Sequence, residues 1–218
     1  MGKLVVAIDG PAGAGKSTVA RIAAEKLGYT YIDTGAMYRA VAWKVLQTGK
    51  AVTDALIVDV VKDIEVLLEY KNDKTYVYAD GQDITGEIRT PEVTGIVSQV
   101  AALGPVREKM VDLQRKMAEK GGVLMDGRDI ATNVLPNADV KLFLTASIEE
   151  RARRRFKEMQ EKGYDVKLEE LQADIAARDK ADSEREISPL VQAEDAELLD
   201  TSDMSIDQVV EAILARCR

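Results

Sequence analysis

Histidine is missing from all 218 residues, and cysteine occurs once, at Cys217. Without imidazole there is no histidine-based triad, no His-ligated zinc and no phosphohistidine relay. A single thiol makes no internal disulfide and no thiolate metal cluster. The chemistry therefore falls to carboxylates, hydroxyls, lysine, arginine and backbone amides. Long apolar runs are missing too: none approaches the roughly 18–20 residues of a membrane helix. None near Met1 resembles a secretory h-region. Excess positive charge is also absent, since 38 acidic against 30 basic residues leave a net charge of −8. That balance argues against a general nucleic-acid binder, yet it leaves room for a local basic site holding one phosphorylated small molecule. The expectation is a cytoplasmic protein with neither nucleic-acid nor membrane partners. No extended heptad pattern appears, so a monomer is expected.

What is present is a soluble, globular composition, with 46% hydrophobic and 31% charged residues. The length fits one domain with inserts or two small ones. Five apolar runs read as buried strands: Leu4–Ile8 (the end of a run from Met1), Tyr29–Ile32, Val123–Met125, Val140–Leu144 and Leu198–Leu199. Their continuous rather than alternating hydrophobicity suits a parallel sheet covered by helices on both faces. Helices are predicted over Ser17–Leu27, Met37–Gln47, Val106–Lys120, Ile148–Lys162 and Ile206–Arg216, the last capped by Ser205. Val41, Val45 and Trp43 are the buried face of the second. Val66–Tyr70 and Thr75–Ala79 flank Lys71-Asn72-Asp73-Lys74, and Asp80-Gly81 makes a second turn. This reads as an antiparallel meander inserted into the α/β domain. Asp174–Glu186 reads as a charged surface helix ending before Pro189.

Gly10-Pro11-Ala12-Gly13-Ala14-Gly15-Lys16-Ser17 satisfies G-x-x-x-x-G-K-[ST], with a strand before it and a helix after it. Glycines let the backbone wrap tightly and turn its N–H groups toward phosphate oxygens. The positive end of the following helix, with Thr18 in its first turn, faces the same anion. Lys16 would bridge the terminal phosphates, and the Ser17 hydroxyl would ligate Mg²⁺. This is a P-loop, a nucleoside-triphosphate site. No Asn-Lys-x-Asp base-reading motif of a guanine switch follows, and the chain is short for a motor ATPase. A small phosphotransferase with a second, acceptor-holding cavity is favoured.

An acceptor phosphate calls for arginine, whose planar fork matches two oxygens at once. Arg39 follows the strand ending at Asp33, and Arg128 lies in Asp126-Gly127-Arg128-Asp129 after the third apolar run. Carboxyl ends of parallel strands are where ligands bind. Asp33 and Asp126 end such strands and could each hold a metal-bound water; the plainer alternative is a helix N-cap or turn former. Four arginines crowd Arg151–Arg155, which taken alone is a solvated helix face.

Together these segments resemble the bacterial cytidylate kinases. The resemblance is carried by Ile8-Asp9-Gly10 with the loop that follows, Asp33-Thr34-Gly35-Ala36-Met37-Tyr38-Arg39, Gly86-Glu87-Ile88-Arg89-Thr90 and Ser98-Gln99-Val100-Ala101. It continues through Val106-Arg107, Asp126-Gly127-Arg128-Asp129, Arg178-Asp179, Asp182, Arg185 and Ser188-Pro189-Leu190, spanning essentially the whole chain. It implies transfer of the ATP γ-phosphoryl group to CMP or dCMP. It also implies a P-loop α/β fold whose five-stranded parallel sheet carries an inserted antiparallel NMP-binding lobe and a helical LID. On that resemblance residues 1–60 are CORE with the phosphate loop, 61–100 the NMP-binding meander, and 101–148 CORE again. Residues 149–190 are the LID with an acceptor-contacting helix, and 191–218 the last CORE strand and helix. Arg39 and Arg128 would clamp the CMP phosphate; Ser98, Arg107 and Asp129 would read the cytosine edge; Arg178 and Asp182 would face the ribose, with Arg185 nearby. Thr34 and Tyr38 would line the same cavity, and Arg151, Arg154 and Arg155 would close on the ATP phosphates. No general base is required, because a phosphate monoester with a second pKa of ~6 is largely deprotonated at neutral pH. Two other readings stay open: a shikimate or sugar-acid kinase sharing the loop and fold, and an ATP-binding regulatory module without phosphotransfer. The second arginine set, Arg39, Arg107, Arg128 and Arg185, is what a simple sensor would not need.

Overall fold

β1 (Val5–Asp9) is the apolar strand that runs into the glycine loop, and it forms the middle of a five-stranded sheet. This architecture is seen in a computed structural model that describes residues 3–71, 74–161 and 163–217. Met1 and Gly2 of the first run, Asn72 and Asp73 of the expected hairpin turn, Lys162 at the expected helix end, and Arg218 lie outside the described residues. β2 (Thr30–Asp33), β6 (Val123–Gly127), β7 (Val140–Thr145) and β8 (Glu197–Asp200) complete the sheet in the order β2-β6-β1-β7-β8. Every pairing in it is parallel. The register sets Asp9 beside Gly127 and Asp33 beside Asp126, so three carboxylates end neighbouring strands at one edge.

Helices bury both faces, as the unbroken apolar strands require. On one side α1 (Lys16–Leu27) and α8 (Ile206–Arg216) pack Val19, Ala23, Val210 and Ile213 against Val6, Ile8 and Leu124. On the other, α2 (Thr34–Gln47), α4 (Pro91–Ala102) and α5 (Gly104–Ala118) gather a larger core around Met37, Val41, Val45 and Met110. α2 starts three residues before the expected Met37. The reason is local: the Asp33 carboxylate accepts the Ala36 N–H at 2.9 Å and caps the helix.

The antiparallel meander expected from Val66–Tyr70, Thr75–Ala79 and the turn at Asp80-Gly81 is present. β3 (Val66–Lys71), β4 (Lys74–Ala79) and β5 (Gln82–Asp83) form a separate antiparallel sheet. On β4, Val77 is buried and faces opposite to Tyr76 and Tyr78. Residues 61–100 are therefore not a meander throughout: α3 (Asp54–Asp63) runs into the stretch and α4 closes it. Thr53 and Thr90 cap these helices through the N–H groups of Leu56 and Val93, with Pro91 in the first turn of α4. Trp43 on α2 donates its indole N–H to Glu87 at 2.7 Å, tying the segment after the meander to the body. α6 (Ile148–Glu161) and α7 (Leu168–Glu184) lie together over the loop edge of the sheet; α7 begins six residues before the expected Asp174. Among the described residues no helix is long and apolar enough to cross a membrane.

Candidate active site

The glycine loop leaves β1 with Gly10 at φ +149°, where a Cβ would stand 1.9 Å from the Leu144 carbonyl oxygen. No other residue fits between β1 and β7 at that point. The loop wraps back to Lys16, whose ammonium is buried and donates to the Pro11 carbonyl at 2.8 Å. Burial and the neighbouring Arg128 charge pull the Lys16 pKa down to about 7. Beside it, Ser17 Oγ donates to Asp126 Oδ2 at 3.2 Å, while Tyr31 holds Asp126 Oδ1 at 2.7 Å. Burial, reinforced by the Asp33 charge, raises Asp126 to about 6. Asp33 uses one oxygen as the α2 cap and the other to accept from Arg89 at 2.6 Å.

Ser17, Asp33 and Asp126 offer hard oxygen donors to a cleft of about 1780 Å³. Among the described residues no cluster of three or more His, Cys, Asp or Glu forms a ready-made metal cage. Such a donor set fits Mg²⁺, which keeps its waters and is shared between one or two carboxylates and substrate phosphates. The cleft exceeds the roughly 300–1,000 Å³ of a single small-molecule pocket. It is also bordered by Arg39, Arg154 and Arg155.

A smaller recess opens from the same edge. Thr34, Tyr38, Ser98, Arg107 and Asp129 line it, with Arg128, Arg178, Asp182 and Arg185 at its polar side. Arg107 and Asp129 are buried and paired, and Arg107 lies 5.4 Å over the Tyr38 ring. Asn133 donates to the same Asp129 oxygen at 3.0 Å, and Arg185 stands 3.7 Å from the other. Arg128 donates to Asp182 at 2.8 Å. Thr34 Oγ1 donates to the Asp126 carbonyl at 2.7 Å and would stand 2.6 Å from a Cβ on residue 127, which explains the glycine in the Asp-Gly-Arg-Asp block. Burial pushes the Tyr38 hydroxyl up to about 12.

Arg128, Arg178 and Ser98 border both cavities. Burial and the nearby Arg128 lower Arg178 to about 10; burial and the nearby Arg178 lower Arg39 to about 9. Cations that crowd and depress one another in this way favour a polyanion between them. The profile described as cytidylate kinase matches residues 6–218. The chain belongs to the cytidylate kinase family.

Its relatives in that family include the cytidylate kinase of Lysinibacillus sphaericus, 55% identical over 210 residues covering 96% of this chain and 94% of that protein. The cytidylate kinase of Bacillus cereus is 51% identical over 214 residues, covering 98% and 95%. Among solved structures, an uncharacterized protein from Eubacterium ventriosum aligns with a TM-score of 0.55 at 13% identity, covering 99% of this chain and 98% of that one. A gluconokinase from Sinorhizobium meliloti aligns at 0.50 and 15% identity, covering 99% and 91%. At those identities the likeness is one of fold.

Within the family frame, one expected member of the arginine cluster has a different place. Arg151 does not border the cleft. It is buried behind the glycine loop, donating to the Ala12 carbonyl at 2.9 Å and the Ala146 carbonyl at 2.9 Å, and pairing with Asp179 at 2.6 Å. Arg154 donates to Glu150 and the Thr201 carbonyl, and Arg155 to Glu158. Sequence reasoning gives no role to Tyr31 and Arg89, which border the cleft, or to Asp9, which borders neither cavity. Arg89 and Asp9 both lie in segments that carry the family resemblance, and Asp9 is also a charge ending an apolar strand, which is the available signal.

Proposed function

We propose that the chain transfers the γ-phosphoryl group of ATP to CMP or dCMP, giving ADP and CDP or dCDP. Membership of the cytidylate kinase family supports this reading. The observation that carries it is the adjoining pair of cavities, with Arg128 and Arg178 bordering both, so that two phosphates can meet between them. The proposal includes a cytoplasmic, monomeric enzyme without a nucleic-acid partner.

The glycine loop from Gly10 to Thr18 wraps the donor phosphates, with Lys16 on the terminal groups. Arg39 and Arg128 grip the acceptor phosphate. An oxygen of that phosphate attacks the γ-phosphorus as the bond to the β–γ bridging oxygen breaks, and ADP departs with the electron pair. No side chain has to remove a proton, since the acceptor phosphate is already largely dianionic at neutral pH. Ser17 and Asp126, with Asp33 beside them, would hold Mg²⁺, which screens charge on the triphosphate. Catalysis is then positioning and charge neutralisation by Lys16 and the arginines. Arg154 and Arg155 close over the donor. Ser98, Arg107 and Asp129 select cytosine, whose amino group can donate to a carboxylate where uracil offers an oxygen. Arg178 and Asp182 hold the ribose with Arg185, against the wall made by Thr34 and Tyr38.

Coupled ADP release with ATP and Mg²⁺, over CMP, dCMP, UMP, AMP, GMP and shikimate, tests this. Strong turnover with CMP and dCMP, weak with UMP and none with the rest is expected. A preference for a purine acceptor or shikimate would refute it.

A further inference from the structure

Asp9 is the last residue of β1, only 2% exposed, and it borders neither cavity. Its two carboxylate oxygens each accept one backbone N–H, from Ile130 and from Ala131, both at 2.8 Å. The partners are 121 and 122 residues away. On one side of this link the very next residue, Gly10, opens the glycine loop and is wedged against the Leu144 carbonyl. On the other side the preceding residues are Arg128 and Asp129.

The sheet ladder holds β6 only as far as Gly127, which pairs with Asp9 itself. Beyond that point the backbone leaves the sheet and turns through the π-helical residues Ile130–Val134. Arg128 and Asp129 are therefore a two-residue span. It is pinned at its start by the strand and at its end by the Asp9 carboxylate. Two oxygens on two successive amides fix the span in rotation as well as in distance. A buried carboxylate is costly unless its hydrogen bonds are made, and burial here raises its pKa to about 6 even with both amide bonds present.

We infer that Asp9 is a positioning residue for phosphoryl transfer, joining the donor-holding loop to the acceptor-holding span so that the two reacting phosphates meet in line. The inference rests on the phosphotransfer proposed above. Reacting atoms must come within about 3–3.5 Å, and a shift of about 1 Å can cost on the order of a hundredfold in rate. Asp9 borders neither cavity; it acts through Arg128 and Asp129.

The test uses the full chain with Asp9→Asn, which keeps the shape and one acceptor but offers an NH₂ to the second amide. The expected result is a fall of about tenfold in the single-turnover rate with ATP and CMP. Dissociation constants for each nucleotide alone should stay within about twofold, and the thermal midpoint within a few degrees. Asp9→Ala, which removes both acceptors and leaves two buried amides unpaired, should lower the rate further and also lower the thermal midpoint, so the split between rate and stability is read in Asp9→Asn. An unchanged rate in Asp9→Asn would overturn the inference. So would a parallel loss of rate, of both affinities and of thermal stability, which is what a purely structural carboxylate would give. A wild-type protein without turnover on any acceptor would remove the phosphotransfer reading, and this inference with it.

Discussion

Three acceptor-side polar groups converge on Asp129: the Arg107 pair, the Asn133 amide and the approach of Arg185 all fall on its two oxygens. It is 4% exposed, and Arg107 opposite it is 3% exposed. A buried ion pair is a weak stabiliser as a whole, but removing one partner leaves an uncompensated charge. Asp129→Ala should therefore lower the unfolding free energy in urea by about 3–5 kcal/mol. It should also reduce the preference for CMP over UMP by at least about tenfold, since a carboxylate–amino contact missing from a built polar site carries most of such discrimination. Equal kcat/KM ratios in the two proteins would show that the carboxylate does not read the base. The two effects separate cleanly, because the ratio of acceptors is independent of how much protein is folded.

Helix α8 illustrates how local signals serve an element. Ser205 Oγ accepts the Gln208 N–H at 3.2 Å, and the Gln208 side chain accepts the Ser205 N–H at 2.8 Å, closing a capping box. Ser205→Ala should cost about 1 kcal/mol and lower Tm by about 2–4 °C, read by calorimetry, with Val209, Val210 and Ile213 still holding the helix on α1. The bounds Ile206–Arg216 and their serine cap were legible in the sequence because both determinants lie within a few residues of each other. The phosphate loop and the strand leading to it were legible for the same reason. α3 was not: Leu56, Ile57, Val58, Val60 and Val61 suit a strand as well as a helix, and packing beside α2 and α5, with the Thr53 cap, decides. α4, with Val93, Ile96, Val97 and an internal Gly95, is the same case. Among the arginines of α6 the sequence offers four equivalent charges; docking of the helix onto the Ala12 carbonyl buries Arg151 and leaves Arg154 and Arg155 at the cleft. The π-helical turn after Asp129 donates two N–H groups to Asp9, more than a hundred residues upstream, a contact no local pattern encodes.

At the scale of the whole molecule, an acidic chain of net charge −8 concentrates Lys16, Arg39, Arg128 and Arg178 around one pair of cavities. Filling those cavities with phosphates relieves repulsion that the unliganded fold carries. A non-hydrolysable ATP analogue at about 100 times its dissociation constant should add about 2.7 kcal/mol to stability. That raises Tm by about 5–11 °C at the 2–4 °C per kcal/mol usual for this size; differential scanning fluorimetry reads it, and the absence of a shift would argue against binding. One further property follows from the bond between Trp43 and Glu87. Trp43 is the only indole in the chain and is 6% exposed, and Glu87 stands two residues before the arginine that reaches Asp33. The emission colour and lifetime of a buried indole depend on its hydrogen bond and on water nearby. The protein thus carries its own unlabelled optical gauge at the joint between the inserted lobe and the body, free of background from any second tryptophan.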